Sequence, residues 1–289
     1  MLKIALPNKG RLADDVRELL NDAGLEIRSR GERALTASLG GEFEAIFVRA
    51  QDIPEFVADG AADAGVTGWD LVNESGRHLV QLMDLEFGRC RLAVAARDES
   101  PIKTLADITG SPRVATCFPR VTQRYFEQNG KRVVVVPVSG AAEIAPHLGI
   151  ADIVVDLVST GSTLKVNGLR EVATVLDSSA RLIAANGPSA RATDEDKKRA
   201  LDELVMALGS VLRARGKRYV MANVPKEQLD KVKGVLPGLN GPTVVDVLGG
   251  GVVAVHAVVD AKGIYRTVAS LKALGCEGIL VTRIERLMP

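Results

Sequence analysis

Through the first two thirds of the chain, short apolar runs alternate with segments whose apolar residues recur at helical spacing. A chain patterned this way must lay helices against the faces of largely parallel sheets. Leu2–Leu6 reads as a strand, and Leu12–Ala23, with Val16, Leu19, Leu20 and Ala23 on one face, as a helix stopped by Gly24. Ala34–Leu39 and Phe43–Val48 flank Gly40-Gly41 as a hairpin. Gln51–Asp59 reads as a helix that tolerates Pro54 in its first turn. Ala64–Thr67 is a strand, and Gly68-Trp69-Asp70 opens another helix.

A second stretch of the same kind follows Arg91, with strands at Leu92–Ala96, Val114–Thr116, Val133–Val138 and Ile153–Leu157 and helices near Val121–Gln128 and Ala141–Leu148. Two more strand-like runs, Glu171–Leu176 and Ala180–Ala185, precede a long helix over Asp194–Arg215. Its N-cap is Thr193, and its buried stripe runs through Leu201, Leu204, Val205, Leu208, Val211 and Leu212. Beyond Gly216 the order becomes strand, helix, strand, strand, helix, strand, which is the ferredoxin-like split βαβ unit.

The 289 residues leave room for two or three domains. Basic and acidic residues nearly cancel at a net charge of +1, and ten residues are aromatic. The chain therefore lacks both the positive field and the stacking platform of a nucleic-acid binder. The apolar runs Val133–Val138 and Val252–Val259 are too short to span a bilayer, and the opening residues carry no signal-peptide pattern. The expectation is a cytoplasmic protein with no membrane partner. Cys90, Cys117 and Cys276 lie far apart, without a CxxC pair or metal-ligand spacing to His78, His147 or His256.

The informative segment runs from Glu143 to Leu164, EIAPHLGIADIVVDLVSTGSTL. A strand carries Asp156 near its carboxyl end and feeds Ser159-Thr160-Gly161-Ser162-Thr163. Ligands of open α/β sheets sit beyond strand carboxyl ends. Main-chain amides at a helix start attract anions, hydroxyls add donors, and glycine admits close approach. An acid just ahead of such a loop suits sugar hydroxyls better than phosphate, so the pair suggests a ribose 5-phosphate. The same small-residue cluster also reads as an ordinary capped helix start. The Walker pattern GxxxxGK[ST] is absent.

This segment resembles the signature of the ATP phosphoribosyltransferases, which falls without a gap on Glu143, Gly149, Ala151, Val154, Asp156, Thr160, Gly161, Thr163 and Leu164. LKIALPNKGRL, FVRAQDIPEFVADGAADAGVTGWDLV and DLEFGRCRL resemble further family blocks. LPGLNGPTVV and LKALGCEGILV are similar to the carboxyl-terminal domain of the family's long form. The resemblance implies an α/β fold of two periplasmic-binding-protein-like lobes, at 1–91 with 180–215 and at 92–179. It adds a ferredoxin-like βαββαβ regulatory domain at 216–289.

The implied activity is transfer of phosphoribosyl from phosphoribosyl pyrophosphate to ring nitrogen 1 of ATP, with Mg2+ and release of pyrophosphate. Catalytic roles fall on Lys9, Arg11, Arg49, Glu143 and Asp156, with Arg17 a further cation for polyphosphate. Substrate contacts fall on Asp70, Asp152, Ser159, Thr160, Gly161, Ser162, Thr163 and Leu164. Asp152 would share a strand face with Asp156 and help hold the ribose, and Asp70 either faces the nucleotide or caps its helix. Many relatives have Tyr where this chain has Phe118, which keeps a ring for stacking and loses the hydroxyl. Histidine is the implied inhibitor, bound near Asn223, Leu239, Thr243 and Gly278, in a homo-oligomer that grows from dimer to hexamer. Two other readings stay open: a non-catalytic small-molecule sensor, and a phosphoribosyltransferase for another base.

Overall fold

The computed structural model describes residues 1–28, 31, 34–185 and 195–288. Thr193 and Asp194, expected to open the long helix, lie outside the described residues. By contacts the chain forms two compact units, Met1–Asn21 with Leu25–Val205, and Asp22–Gly24 with Met206–Pro289.

The first unit opens with β1 (Leu2–Pro7), α1 (Arg11–Asp22), β2 (Thr36–Ser38) and β3 (Phe43–Val48). Strands β2 and β3 form the expected antiparallel hairpin. A 3-10 turn at Ala50–Asp52 leads into α2 (Ile53–Ala58), followed by β4 (Ala64–Gly68), α3 (Trp69–Ser75) and β5 (Leu79–Asp84). β1 pairs in parallel with β3, from Leu2 against Phe43 to Pro7 against Val48. Helix α1 buries Ala13, Val16, Leu19 and Leu20, the face its spacing predicts.

After β5 the chain crosses at residues 85–89 into a second sheet. Its elements are β6 (Cys90–Arg97), β7 (Arg113–Thr116), α4 (Pro119–Gln128), β8 (Val134–Pro137), β9 (Ile153–Val158), α5 (Ser162–Val166) and β10 (Leu169–Ser178). Ser179 carries it back to β11 (Ala180–Ala185). The strand orders are β2-β3-β1-β4-β11-β5 and β10-β6-β9-β7-β8. Alternation along β6 divides its side chains between two cores, with Leu92, Val94 and Ala96 in one and Ala93 and Ala95 in the other.

Helix α6 (Glu195–Ala214) runs from the first unit into the second. The second unit holds β12 (Lys217–Pro225), α7 (Leu229–Val235), β13 (Thr243–Asp246), β14 (Val252–Asp260), α8 (Ile264–Ala273) and β15 (Glu277–Arg283). Its sheet is antiparallel throughout in the order β13-β14-β12-β15, the ferredoxin-like arrangement expected. Val220, Ala222, Val224, Val255 and Leu271 fill its core.

Three expectations need correction. The sheets are mixed rather than largely parallel, because the crossing strands run backwards: β11 lies antiparallel to β4 and β5, and β6 antiparallel to β9 and β10. The helix expected over Ala141–Leu148 is only a 3-10 turn, Ala142–Ile144, since Ala141 takes a left-handed φ of +50° and Pro146 blocks regular helix beyond the turn. Strand β5 was not expected, because it is an edge strand with no buried apolar alternation to betray it.

Arg170 of β10 ties down the loop that leaves β6. Its Nη1 donates to the carbonyls of Arg97, at 2.7 Å, and Asp98, and its Nη2 to those of Ser100 and Ile102, at 2.6 and 2.8 Å. Arg170→Met is expected to cost about 2–3 kcal/mol, because the part-buried acceptors lose a charged donor. Urea unfolding checks this, and an unchanged midpoint would contradict it.

Candidate functional site

Strand β9 ends on the residues singled out in the sequence. Asp156 is half-buried in the strand, and Ser159, Thr160, Ser162 and Thr163 are exposed around Gly161. Gly161 has φ +82° at the N-cap of α5, a conformation that side-chain-bearing residues rarely adopt. Thr160 Oγ1 lies 2.9 Å from Ser162 Oγ, and the Ser162 amide donates to Thr160 Oγ1 at 3.4 Å. The back of this short helix is fastened by Asn167, whose side-chain amide donates to the Thr163 carbonyl at 2.9 Å. Asn167 also offers its own carbonyl to His147 Nε2 at 2.7 Å.

Glu143, Asp156, Ser159, Thr160, Gly161, Thr163 and Leu164 line one cavity of about 130 Å³. Burial pushes the Asp156 carboxyl above the ordinary aspartate range and the charge of Glu143 adds to this, while the Leu157 amide, donating to Oδ1 at 2.7 Å, opposes it. Ala141, just ahead of Glu143, is one of two non-glycine residues with positive φ among the described residues, the other being Glu86 in the first crossing. Backbone strain of this kind collects where surrounding structure fixes a functional geometry. Cys117, at the carboxyl end of the neighbouring β7, belongs to the same surroundings. Burial raises its thiol pKa, and the charges of Asp156 and Glu143 raise it further. Read from sequence as an isolated thiol, Cys117 gave no local signal of this placement.

A second group forms at the carboxyl ends of β1 and β3. Because Pro7 pairs with Val48, the loop bearing Lys9 and the start of α1 at Arg11 follow a strand end that neighbours the one before Arg49, and all three side chains are exposed. Arg17 is not among them, since its guanidinium stacks over the Phe47 ring at 5.7 Å.

Other expectations are corrected. Asp152 precedes β9, at the end opposite the hydroxyl loop. Its Oδ2 accepts the Arg113 amide at 2.7 Å, with the Arg113 guanidinium 3.5 Å from Oδ1, so it does not join Asp156. Asp70 is 5% exposed. Ser178 Oγ donates to its Oδ1 at 2.5 Å and accepts the Asp70 amide at 3.0 Å. Burial raises its carboxyl pKa against the hydrogen bonds from Ser178 and from the amides of Asp70 and Leu71. Asp70 thus joins the start of α3 to Ser178 in the chain's second crossing, while the N-cap position of α3 is Gly68, which has no side-chain cap. Phe118 lies in the core with Val121 and Phe126, so its ring is not offered for stacking on a ligand.

In the second unit, Asn223 and Gly278 are close neighbours: a Cβ on Gly278 would meet Asn223 Nδ2 at 3.0 Å. Thr243 stands two strands away, opposite His256, which in turn lies opposite Met221. Leu239, in the segment between α7 and β13, is 49% exposed. His256 Nδ1 and Tyr219 Oη are hydrogen-bonded at 2.8 Å, a pairing that only the strand register brings about.

Residues 49–210 match the family model described as HisG, ATP phosphoribosyltransferase, and residues 214–286 match that of the HisG C-terminal domain. The ATP phosphoribosyltransferase of Gemmatimonas aurantiaca is 70% identical over 294 aligned residues, covering 100% of both chains. That of Haloarcula marismortui is 49% identical over 289, covering 99% of this chain and 100% of the relative. Among solved structures, an ATP phosphoribosyl transferase (HisG:HisZ) complex from Thermotoga maritima superposes with a TM-score of 0.62 at 31% identity, covering 72% of this chain and 99% of that one.

The Asp156 environment has a consequence for stability. A carboxyl whose folded pKa is raised contributes stability below its unfolded pKa and loses it as pH rises through the folded value. At neutral pH the charged side chain is therefore a burden. Asp156→Asn should raise Tm by about 2 °C at pH 7, a small gain after solvent screening. Scanning calorimetry should show the gain fading as pH falls through the raised folded pKa of Asp156 and gone below about 4, the ordinary aspartate value, where the carboxyl is protonated in both states.

Proposed function

The chain belongs to the ATP phosphoribosyltransferase family, in its long form, and from that premise we propose that the cavity after β9 grips the phosphoribosyl donor. As a member, it transfers phosphoribosyl from phosphoribosyl pyrophosphate to ring nitrogen 1 of ATP, in histidine biosynthesis. The C1–N1 bond forms as the bond from C1 to the pyrophosphate oxygen breaks. The observation that carries the site reading is one cavity bearing both a carboxylate pair and a loop of hydroxyls and amides turned by a left-handed glycine. In this reading Thr160, Gly161, Ser162 and Thr163 hold the 5-phosphate, Ser159 and Leu164 shape the ends of its loop, and Asp156 and Glu143 accept hydrogen bonds from the ribose hydroxyls. A pair of anions so placed also favours the positive character that C1 develops as pyrophosphate departs.

Lys9, Arg11 and Arg49 supply the opposite charge, for the polyphosphate chains. They are exposed at neighbouring strand ends, and among the described residues none makes a salt bridge or side-chain hydrogen bond. In this reading residues 1–215 divide at the two crossings into lobes 1–91 with 180–215 and 92–179, and closure would bring the cationic strand ends to the donor.

Magnesium fits as a visitor carried by substrate. Among the described residues no group of three or more His, Cys, Asp or Glu could hold a metal ion. Mg2+ usually takes one or two carboxylates together with substrate phosphates. Glu143 and Asp156 are the carboxylates that suit it, and the bound ion would neutralise charge on the departing pyrophosphate.

Residues 216–289 act in this reading as the regulatory domain, binding histidine near Asn223, Leu239, Thr243 and Gly278 within a homo-oligomer that grows from dimer to hexamer. The ferredoxin-like unit supports it by leaving Asn223, Leu239, Thr243 and Gly278 exposed. Binding linkage then requires histidine and substrates to weaken one another equally. A cytoplasmic setting belongs to the same reading. No helix among the described residues is long and apolar enough to cross a membrane.

Pyrophosphate release, followed with the donor, magnesium and ATP, GTP or free bases, tests substrate choice. Turnover is expected with ATP alone, and equal turnover with another base would contradict it. Thr160→Ala/Thr163→Ala should raise the KM for the donor by about tenfold or more, as expected for lost hydrogen bonds to a charged group. The KM for ATP should stay unchanged. Added histidine should lower the rate, and Asn223→Ala should blunt that inhibition without changing the rate in its absence.

A further inference from the structure

Arg91, the second residue of β6, lies opposite Val158 of β9 and Asp177 of β10. It thus stands between the strand that feeds the hydroxyl loop and the strand that follows α5. Its Nε donates to both carboxylate oxygens of Glu171, at 2.8 and 3.0 Å, and its Nη2 donates to Oε2 at 2.5 Å. The other arm of the fork, Nη1, donates to the main-chain carbonyl of Ser159 at 3.4 Å.

Two irregularities in β10 accompany this contact. Its pairing with β6 slips between Glu171 and Ala173 and again between Thr174 and Leu176. Bulges of this kind re-aim side chains and recur beside active sites. Thr174 Oγ1 donates to Glu171 Oε1 at 3.3 Å, steadying the carboxylate from its other side. Hydrogen bonding from Arg91 holds the Glu171 carboxyl below its ordinary range, so the pair stays ionised at neutral pH. Arg91 therefore has its charge satisfied within the protein and is not itself a free cation for phosphate.

A trans peptide is planar, and its carbonyl and amide point in opposite directions. Turning the Ser159 carbonyl toward Arg91 turns the Thr160 amide to the other side of the chain. We infer that Arg91, clamped by Glu171, is a positioning residue for donor recognition: it sets the Ser159–Thr160 peptide so that the Thr160 amide faces the 5-phosphate. This rests on reading the loop after β9 as the phosphate cradle. A merely structural ion pair at this exposure would contribute little to stability and would not distinguish one substrate from the other.

Full-length Arg91→Gln, Arg91→Lys and Glu171→Gln, compared in steady-state kinetics and thermal melting with Thr160→Ala/Thr163→Ala, test the inference. Arg91→Gln should raise the KM for phosphoribosyl pyrophosphate by about tenfold, as for loss of one charge-assisted hydrogen bond, and leave the KM for ATP unchanged. Arg91→Lys keeps an ion pair with Glu171 but cannot reach Ser159 at the same time. It should keep the wild-type Tm while showing the donor defect, a split that a purely structural role would not produce. Glu171→Gln should show a smaller donor-specific defect, and it decides the matter together with the lysine variant if Arg91→Gln does not fold. An unchanged donor KM in the Arg91 variants, or equal rises for both substrates that track Tm, overturns the positioning role while the loop double variant still loses donor binding. If that double variant also keeps its donor KM, the loop reading itself fails.

Discussion

Two carboxylates facing one small cavity, Glu143 and Asp156, set the terms for the middle of this molecule. Burial and mutual repulsion make the Asp156 charge costly in the free protein. The left-handed backbone at Ala141, two residues ahead of Glu143, is a further local strain. A ligand that brings hydroxyls, or a cation carried on its phosphates, relieves the first of these on binding. The hydroxyl loop completes the arrangement, because Gly161 turns the chain sharply enough to begin α5 directly after the acidic strand. Acid and hydroxyl loop thus fall within eight residues of one another, Asp156 to Thr163.

Around that site the two sheets of the first unit meet through polar contacts and through Leu71 of α3, which packs against the core of the second sheet. Ser178 closes on buried Asp70, and Glu74 of α3 accepts the amides of Arg120 and Val121 at the start of α4, each at 3.0 Å. Arg120 Nη1 returns a hydrogen bond to the Ser75 carbonyl at 2.9 Å. Each sheet also has its own apolar core: Ala5, Ile53, Val57 and Ile183 for the first, Leu92, Val114, Phe126 and Ile153 for the second. Polar contacts can be exchanged for water at small net cost, whereas splitting a packed core cannot.

The features that could be read from sequence were those with a local physical cause. Helix α1, the ferredoxin-like unit and the loop after β9 were legible because amphipathic spacing, strand alternation and a dense motif are local. Strand β5 was hidden because an edge strand buries too little to show a pattern. Asp152 was misplaced because a count of four residues along an assumed strand ignores where the strand begins, and the chain is not yet in β9 at that point. Phe118 invited a stacking role by its position in a motif, yet only tertiary packing decided that its ring joins the core. The placements of Arg91, Ser178 and Cys117 could not be read locally, although Arg91 stands in the DLEFGRCRL block, since each meets residues at least 26 positions away.

The claim on which the account turns is that the loop after β9 holds a sugar phosphate. A crystal structure with ribose 5-phosphate bound measures it directly. The phosphate oxygens should lie within about 3 Å of the Thr160 and Thr163 hydroxyls and the loop amides, with the ribose hydroxyls toward Asp156 and Glu143. Density for the ligand elsewhere, with Thr160 and Thr163 still bonded only within their own turn, would contradict the account.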